Sequence, residues 1–181
     1  MIVRFIAITF CLYISAQVSA QIRVEDDTGF IVELPSPPAR IISLAPHITE
    51  ILFSLGVGDK IVGTVRFSDY PSEASAIPVL GDAFAINLES ILALEPDLVV
   101  AWYTGGANTT VSKIRELKIP VFINHAPDLA SIGTFIKKIG LLVGKQKQGV
   151  LLEQQFFSRL NSFRGRKDRP EKKVFFQIAD Q

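Results

Sequence analysis

The chain has 181 residues, is 48% hydrophobic and 20% charged, and carries a formal charge of +1. That is an ordinary globular composition with enough apolar material for a core, and nothing in the charge balance points to nucleic acid. The only cysteine is Cys11, so the chain beyond residue 20 has no thiol for disulfides, metal clusters or catalysis.

The first twenty residues differ in kind from the rest. Arg4 precedes the almost continuously apolar run "FIAITFCLYISAQV", and "VSA" at Val18 to Ala20 puts small residues where a signal peptidase cuts. This predicts a secretory signal cleaved after Ala20 and a soluble exported protein. Cys11 sits in the middle of the apolar run, not at its end where a lipid-anchoring cysteine would stand. Loss of Arg4 takes the charge from +1 to 0, so no strong steering field is expected.

Next, "IRVEDDTGFIVEL" alternates apolar and polar residues on both sides of "DDTG", the pattern of a β-hairpin, and "PSPPAR" ends it. "RIISLAP" reads as a short buried strand. In "HITEILFSLGVG", Ile48, Ile51, Leu52 and Leu55 fall at helical spacing, with His47 or Thr49 expected to open the helix and Gly56 to close it. "KIVGTV" and "IPVLG" read as strands, "NLESILALEP" as a helix capped by Asn87, and "DLVVAW" as a strand buried on both faces. "NTTVSKIRELKI" is a predicted helix and "PVFIN" a strand. "LASIGTFIKKIGLLVG" is a helix with Ile132, Phe135, Ile136 and Ile139 on one face.

Alternating strands and helices of these lengths predict an α/β lobe whose largely parallel sheet is flanked by helices. Ligands of such sheets meet the carboxyl ends of the strands. After Gly144 the pattern changes to one long amphipathic helix, "KQKQGVLLEQQFFSRLNSFRGR", with Val150, Leu151, Phe157 and Leu160 as its apolar positions. The charged break "GRKDRPEKK" and the strand-like "VFFQIA" follow. The expected organisation is a signal at 1–20, an N-terminal ligand-binding lobe at 21–143, a joining helix at 144–168 and the start of a second lobe at 169–181.

Four blocks in this order, "RIISLAPHITEILFSLGVGDKIVG", "FSDYP", "NLESILALEPDLVVAW" and, after the long helix, "KKVFFQ", carry a family resemblance. They resemble the periplasmic substrate-binding proteins of ABC importers for vitamin B12, haem and iron siderophores, in which two α/β lobes are joined by one rigid helix. The resemblance covers residues 22–181. "SDYP" at Ser68 to Pro71 and the block from Asn87 to Trp102 look most like the cobalamin-binding branch. It implies a periplasmic monomer that binds cobalamin or a related corrinoid and delivers it to the permease subunits of an ABC importer at the inner membrane. Haem or an iron siderophore is the rival ligand. The ligand is cargo; no resident cofactor is implied. The family clamps its ligand between two lobes, and the chain supplies one lobe, the joining helix and the first strand of another, so a C-terminally truncated, ligand-incompetent fragment is the remaining expectation.

Residue by residue, the resemblance implies aromatics stacking against the corrin face. Phe67, just before "SDYP", matches one such position and Trp102, the only tryptophan, a second. The third lands without gaps on Ala83 in "GDAFAIN", with Phe84 beside it as the aromatic to compensate. As the last residue of a strand in an α/β sheet, Trp102 lies on the ligand side on general grounds too. His47, between the lobe's first strand and a helix, is a further candidate for ligand contact, as is Tyr103. His125 and Tyr70 read as loop and surface residues, and Glu50 as a structural acid. Glu89 in "NLESI" matches the Glu that docks such a lobe onto its permease, and it equally suits a helix N-terminus. No "GxSxG", P-loop or "GxGxxG" occurs, and neither His has a second His or a Cys at metal-ligand spacing, so neither a catalytic residue nor a metal site is expected.

Overall fold

The structure is a computed structural model, and it describes residues 21–82, 85–103 and 108–164. The expected signal peptide, Ala83, Phe84, residues 104–107 and the expected "VFFQIA" strand lie outside the described residues.

Two strands, β1 (Ile22–Glu25) and β2 (Ile31–Leu34), form the expected antiparallel hairpin, with Val24 opposite Val32 and both buried. Gly29 adopts φ 85° in the turn, a left-handed conformation that costs a glycine nothing. Next come β3 (Ile41–Ser43), α1 (Pro46–Ser54), β4 (Ile61–Gly63), α2 (Leu88–Ala93), β5 (Leu98–Trp102), α3 (Asn108–Glu116), β6 (Val121–Asn124), α4 (Leu129–Leu142) and α5 (Gln146–Arg164). The sheet order is β4-β3-β5-β6 and every pairing in it is parallel.

One face of this sheet packs Ile41, Leu98, Val100 and Phe122 against the hairpin, Ile48 and Leu52 of α1, and Phe135, Ile139 and Leu142 of α4. On the other face, Ile42, Val99, Ala101 and Val121 meet Ile91 of α2 and Val111 and Ile114 of α3. With both faces covered, the strands read as continuous apolar runs.

Three local expectations are corrected. First, α1 opens at Ala45, whose extended backbone (φ −158°, ψ 148°) feeds Pro46 at the first helical position; neither His47 nor Thr49 caps it. Proline's fixed φ and missing N–H suit that position, and the Thr49 hydroxyl instead donates to Ser43 Oγ at 2.8 Å inside the core. Secondly, "IPVLG" is not a strand. Pro78 has no N–H to give to a ladder, and the segment keeps one bridge, Thr64 to Val79, with Leu80 N donating to Thr64 O at 2.8 Å. Thirdly, Leu151 is 46% exposed, and it is Leu152 that packs on the core.

The helices α4 and α5 meet along small residues. A Cβ on Gly140 would lie 2.7 Å from Gly149 Cα, and one on Gly133 would lie 2.5 Å from the Phe157 ring. At Gly140 only glycine allows the two backbones so close, whereas at Gly133 the Phe157 ring occupies the space a Cβ would take. Leu151, two residues beyond Gly149, falls on the other side of α5.

Candidate ligand-binding site

Parallel strands end on a common edge, and here that edge gathers the chain's distinctive side chains. The segment after β3 turns at once into α1, which lies on one face of the sheet, whereas the chain after β5 goes on to α3 on the opposite face. The two strands are neighbours, so their carboxyl ends diverge and leave a crevice between them, the topological switch point at which α/β sheets bind ligands.

Trp102 closes β5 in register with Asn124 at the end of β6. Its indole is 40% exposed and stands edge-on to the His47 imidazole, with centroids 5.7 Å apart and an interplanar angle of 82°. Together with Ile51, Asn124, Ile132 and Phe135, these two rings line a cavity of about 250 Å³. Apart from His47, none of those side chains ionises. Next to Trp102, Tyr103 stacks on His125 with centroids 4.5 Å apart, and its backbone N–H donates to Asn124 O at 2.8 Å.

A chain of polar groups supports this wall from below. His47 Nε2 lies 3.1 Å from Asn124 Oδ1, and Asn124 Nδ2 donates to Asp27 Oδ2 at 3.1 Å. The same oxygen accepts the His125 backbone N–H at 2.9 Å, while Asp27 Oδ1 is paired with Lys138 Nζ at 2.8 Å. Asn124 is 1% exposed, so leaving either end of its amide without a partner would be costly. Burial holds the His47 imidazole below its ordinary pKa, and the hydrogen bond with Asn124 and the charge of Glu50 only partly oppose this. That shift favours the neutral imidazole.

Neighbouring Asp26 is 1% exposed and anchors the hairpin to β6 and α3. Its carboxylate accepts the Thr28 hydroxyl at 2.7 Å, the N–H groups of Thr28, Phe30 and Ile123, and the Arg115 guanidinium at 2.7 Å. Burial pushes its pKa up, but the hydrogen bonds from Thr28, Phe30 and Ile123 outweigh it and the net shift is downward.

Beyond β4, on the far side of β3, Phe67 is 82% exposed and holds φ 68°. A bulky residue rarely adopts that backbone conformation, so the loop presents the ring to solvent at a cost of about 1–2 kcal/mol. Glu89 lies exposed in the first turn of α2, whose N-cap Asn87 accepts the Ser90 N–H at 3.1 Å. Of the residues singled out from the sequence, the structure thus brings His47 and Trp102 together, sets Tyr103 beside them and places Phe67 two strands away. Ala83 and Phe84 are outside the described residues. Among the described residues no three His, Cys, Asp or Glu side chains gather as a metal site would require.

Sequence reasoning missed Asn124, Asp27 and Lys138. The available signals were a polar residue closing the apolar run "VFIN" and the doubled acid in "DDTG". Their meeting depends on β6 lying alongside the hairpin turn, across a sequence separation of 97 residues.

A family model described as periplasmic binding protein matches residues 41–175. A vitamin B12-binding protein of Vibrio campbellii is 34% identical over 146 residues, which are 80% of this chain and 53% of that protein. The crystal structure of the periplasmic vitamin B12 binding protein of Vibrio cholerae superposes with a TM-score of 0.68 at 35% identity, covering 72% of this chain and 51% of that one. The periplasmic haem-binding protein of Roseiflexus sp. RS-1 gives a TM-score of 0.64 at 31% identity, covering 69% and 48%. The chain spans about half the length of the curated relatives it matches. On the family model and the shared fold, the chain belongs to the periplasmic binding protein family.

Proposed function

We propose that this chain binds cobalamin or a closely related corrinoid in the periplasm, through the carboxyl edge of its parallel sheet, and presents it to the permease of an ABC importer. The observation that carries this reading is the spacing of the exposed aromatics. Phe67 follows β4 and Trp102 ends β5, with β3 between them. β4 and β5 themselves lie two strand spacings, about 10 Å, apart, and the loop after β4 and the end of β5 each carry an exposed aromatic, an arrangement suited to a broad planar ligand and wasted on a small solute.

The cavity supports the same reading by its size. At about 250 Å³ it is smaller than a pocket for a whole drug-sized ligand, so it accepts a peripheral group while the macrocycle lies across the rim. Cations near the wall are already committed, Lys138 to Asp27 and Arg115 to Asp26. An uncharged cavity lining favours a ligand edged with amides over one edged with carboxylates. The vitamin B12-binding relatives and the B12-binding neighbour point the same way.

In the same reading the first twenty residues are a signal cleaved after Ala20, the chain acts as a monomer, and Glu89 docks the lobe onto a basic pocket of the permease. Its exposed position in a helix first turn leaves the carboxylate available for charge-assisted hydrogen bonds. Calorimetric titration of the chain from residue 21 onward with cyanocobalamin and with haem tests the ligand. Micromolar or tighter cobalamin binding supports the proposal. Haem binding without cobalamin binding makes His47, the imidazole in the cavity, the key residue of a haem site and refutes the corrinoid reading.

A further inference from the structure

The polar chain beneath Trp102 has a consequence for what His47 offers a ligand. A carboxylate can only accept hydrogen bonds. Asp27 is ion-paired with Lys138 Nζ at 2.8 Å, so the Asn124 group facing its carboxylate at 3.1 Å must be the amide NH₂. With that end fixed, Asn124 turns its carbonyl Oδ1 to His47 Nε2, and Nε2 must carry the hydrogen. The opposite amide orientation would set oxygen against oxygen on Asp27. His47 Nδ1 has no hydrogen-bond partner among the described residues, and the ring lines the cavity with Trp102.

We propose that Asp27, acting through Asn124, locks His47 in the neutral Nε2–H tautomer, so that the cavity presents the Nδ1 lone pair as an acceptor and selects a ligand whose edge carries an amide N–H donor. This deepens the corrinoid reading and its ligand half rests on it; the tautomer half stands on the free protein. Asp27 and Asn124 are positioning residues, and His47 is the residue that touches ligand. A carboxylate-edged ligand finds a lone pair facing its own and is disfavoured. Protonation of His47 replaces the acceptor with a charged donor; a ligand amide meets it only by turning its carbonyl to Nδ1, and covering an imidazolium in an otherwise uncharged cavity is costly, so affinity for an amide-edged ligand falls as pH drops through the His47 pKa. The other titratable groups facing this ring are Glu50 on its own helix, Asp27 and Lys138 reached through Asn124, and the Tyr103 and His125 pair at the ends of β5 and β6.

The tautomer is read directly. The chain has 2 histidines, so two-bond ¹H–¹⁵N correlation spectra of ¹⁵N-histidine-labelled protein, with His125→Asn for assignment, identify the protonated nitrogen of His47. Expected is a single neutral Nε2–H form at pH 7.5 and a tautomer mixture in Asp27→Ala. A protonated Nδ1, or a mixture in the parent protein, overturns the lock without requiring any variant to fold. For the ligand half, cyanocobalamin affinity should fall about tenfold at one pH unit below the His47 pKa, with His125→Asn keeping that profile. His47→Gln, whose amide oxygen still accepts, should bind with a flat pH profile, whereas His47→Leu should bind about tenfold more weakly at every pH. A flat profile in the parent protein, or equal binding by the Gln and Leu variants, overturns it. Absence of cobalamin binding at any pH refutes the functional reading, and with it the ligand half, while the spectra still decide the tautomer.

Discussion

Replacing Trp102 by alanine separates its two jobs. In the free protein the indole is 40% exposed and its ring contact is the edge of His47. Such an edge-to-face pair contributes about 1 kcal/mol, so the variant should remain folded, with a small loss of stability in urea. The exposed part is what a flat ligand would cover. Taking about 250 Å² for the whole side chain, 40% exposure leaves about 100 Å², and at about 25 cal/mol per Å² its burial is worth about 2.5 kcal/mol. That is about a 70-fold loss of cyanocobalamin affinity. Calorimetry on the parent and Trp102→Ala proteins measures it, with Trp102→Phe expected between them. A folded Trp102→Ala protein that binds within twofold of the parent would refute the stacking role.

Other perturbations probe the scaffold. Phe67→Asn relieves the left-handed strain at φ 68°, because asparagine tolerates that conformation; thermal unfolding should show about 0.5 kcal/mol of added stability while ligand affinity falls. Gly140→Ala sets a methyl against the backbone of Gly149 at 2.7 Å, and the overpacking should cost about 2 kcal/mol despite alanine's better helix propensity, read as a lower urea midpoint. Asp26→Ala leaves Arg115 and three backbone N–H groups without their acceptor and should destabilise by about 3 kcal/mol. Because the folded-state pKa of Asp26 is depressed, its stabilisation is complete above the unfolded value near 4 and drains away as pH falls from there through the lower folded value. A urea midpoint measured from pH 7 to pH 3 should show that acid arm in the parent protein and a reduced one in Asp26→Ala.

The elements of this lobe were legible because burial imposes a period. "DLVVAW" and "PVFIN" sit between two helical layers, so their strands show as unbroken apolar runs, and Asn87 announces a helix by the bond it makes to Ser90. Where backbone chemistry overrides pattern, the reading slipped. Pro46 starts α1 one step before His47, and Pro78 turns an apolar run into an irregular edge. Trp102 and His47 could be placed on the ligand side separately, each from its own strand-to-loop junction. Their edge-on contact, and the support from Asp27 through Asn124, come from tertiary neighbours whose sequence separation carries no local signal.

A corrinoid bound as proposed lies across the carboxyl edge of β3, β4 and β5. Cobalt provides its own marker, so crystals of the chain grown with cyanocobalamin and measured at the cobalt absorption edge locate the ligand without prior phases for it. One anomalous peak per chain is expected over that edge, with the corrin plane in van der Waals contact with Trp102 and a side-chain amide within hydrogen-bond distance of His47 Nδ1. A peak against α5, or on the hairpin away from Trp102, would contradict it.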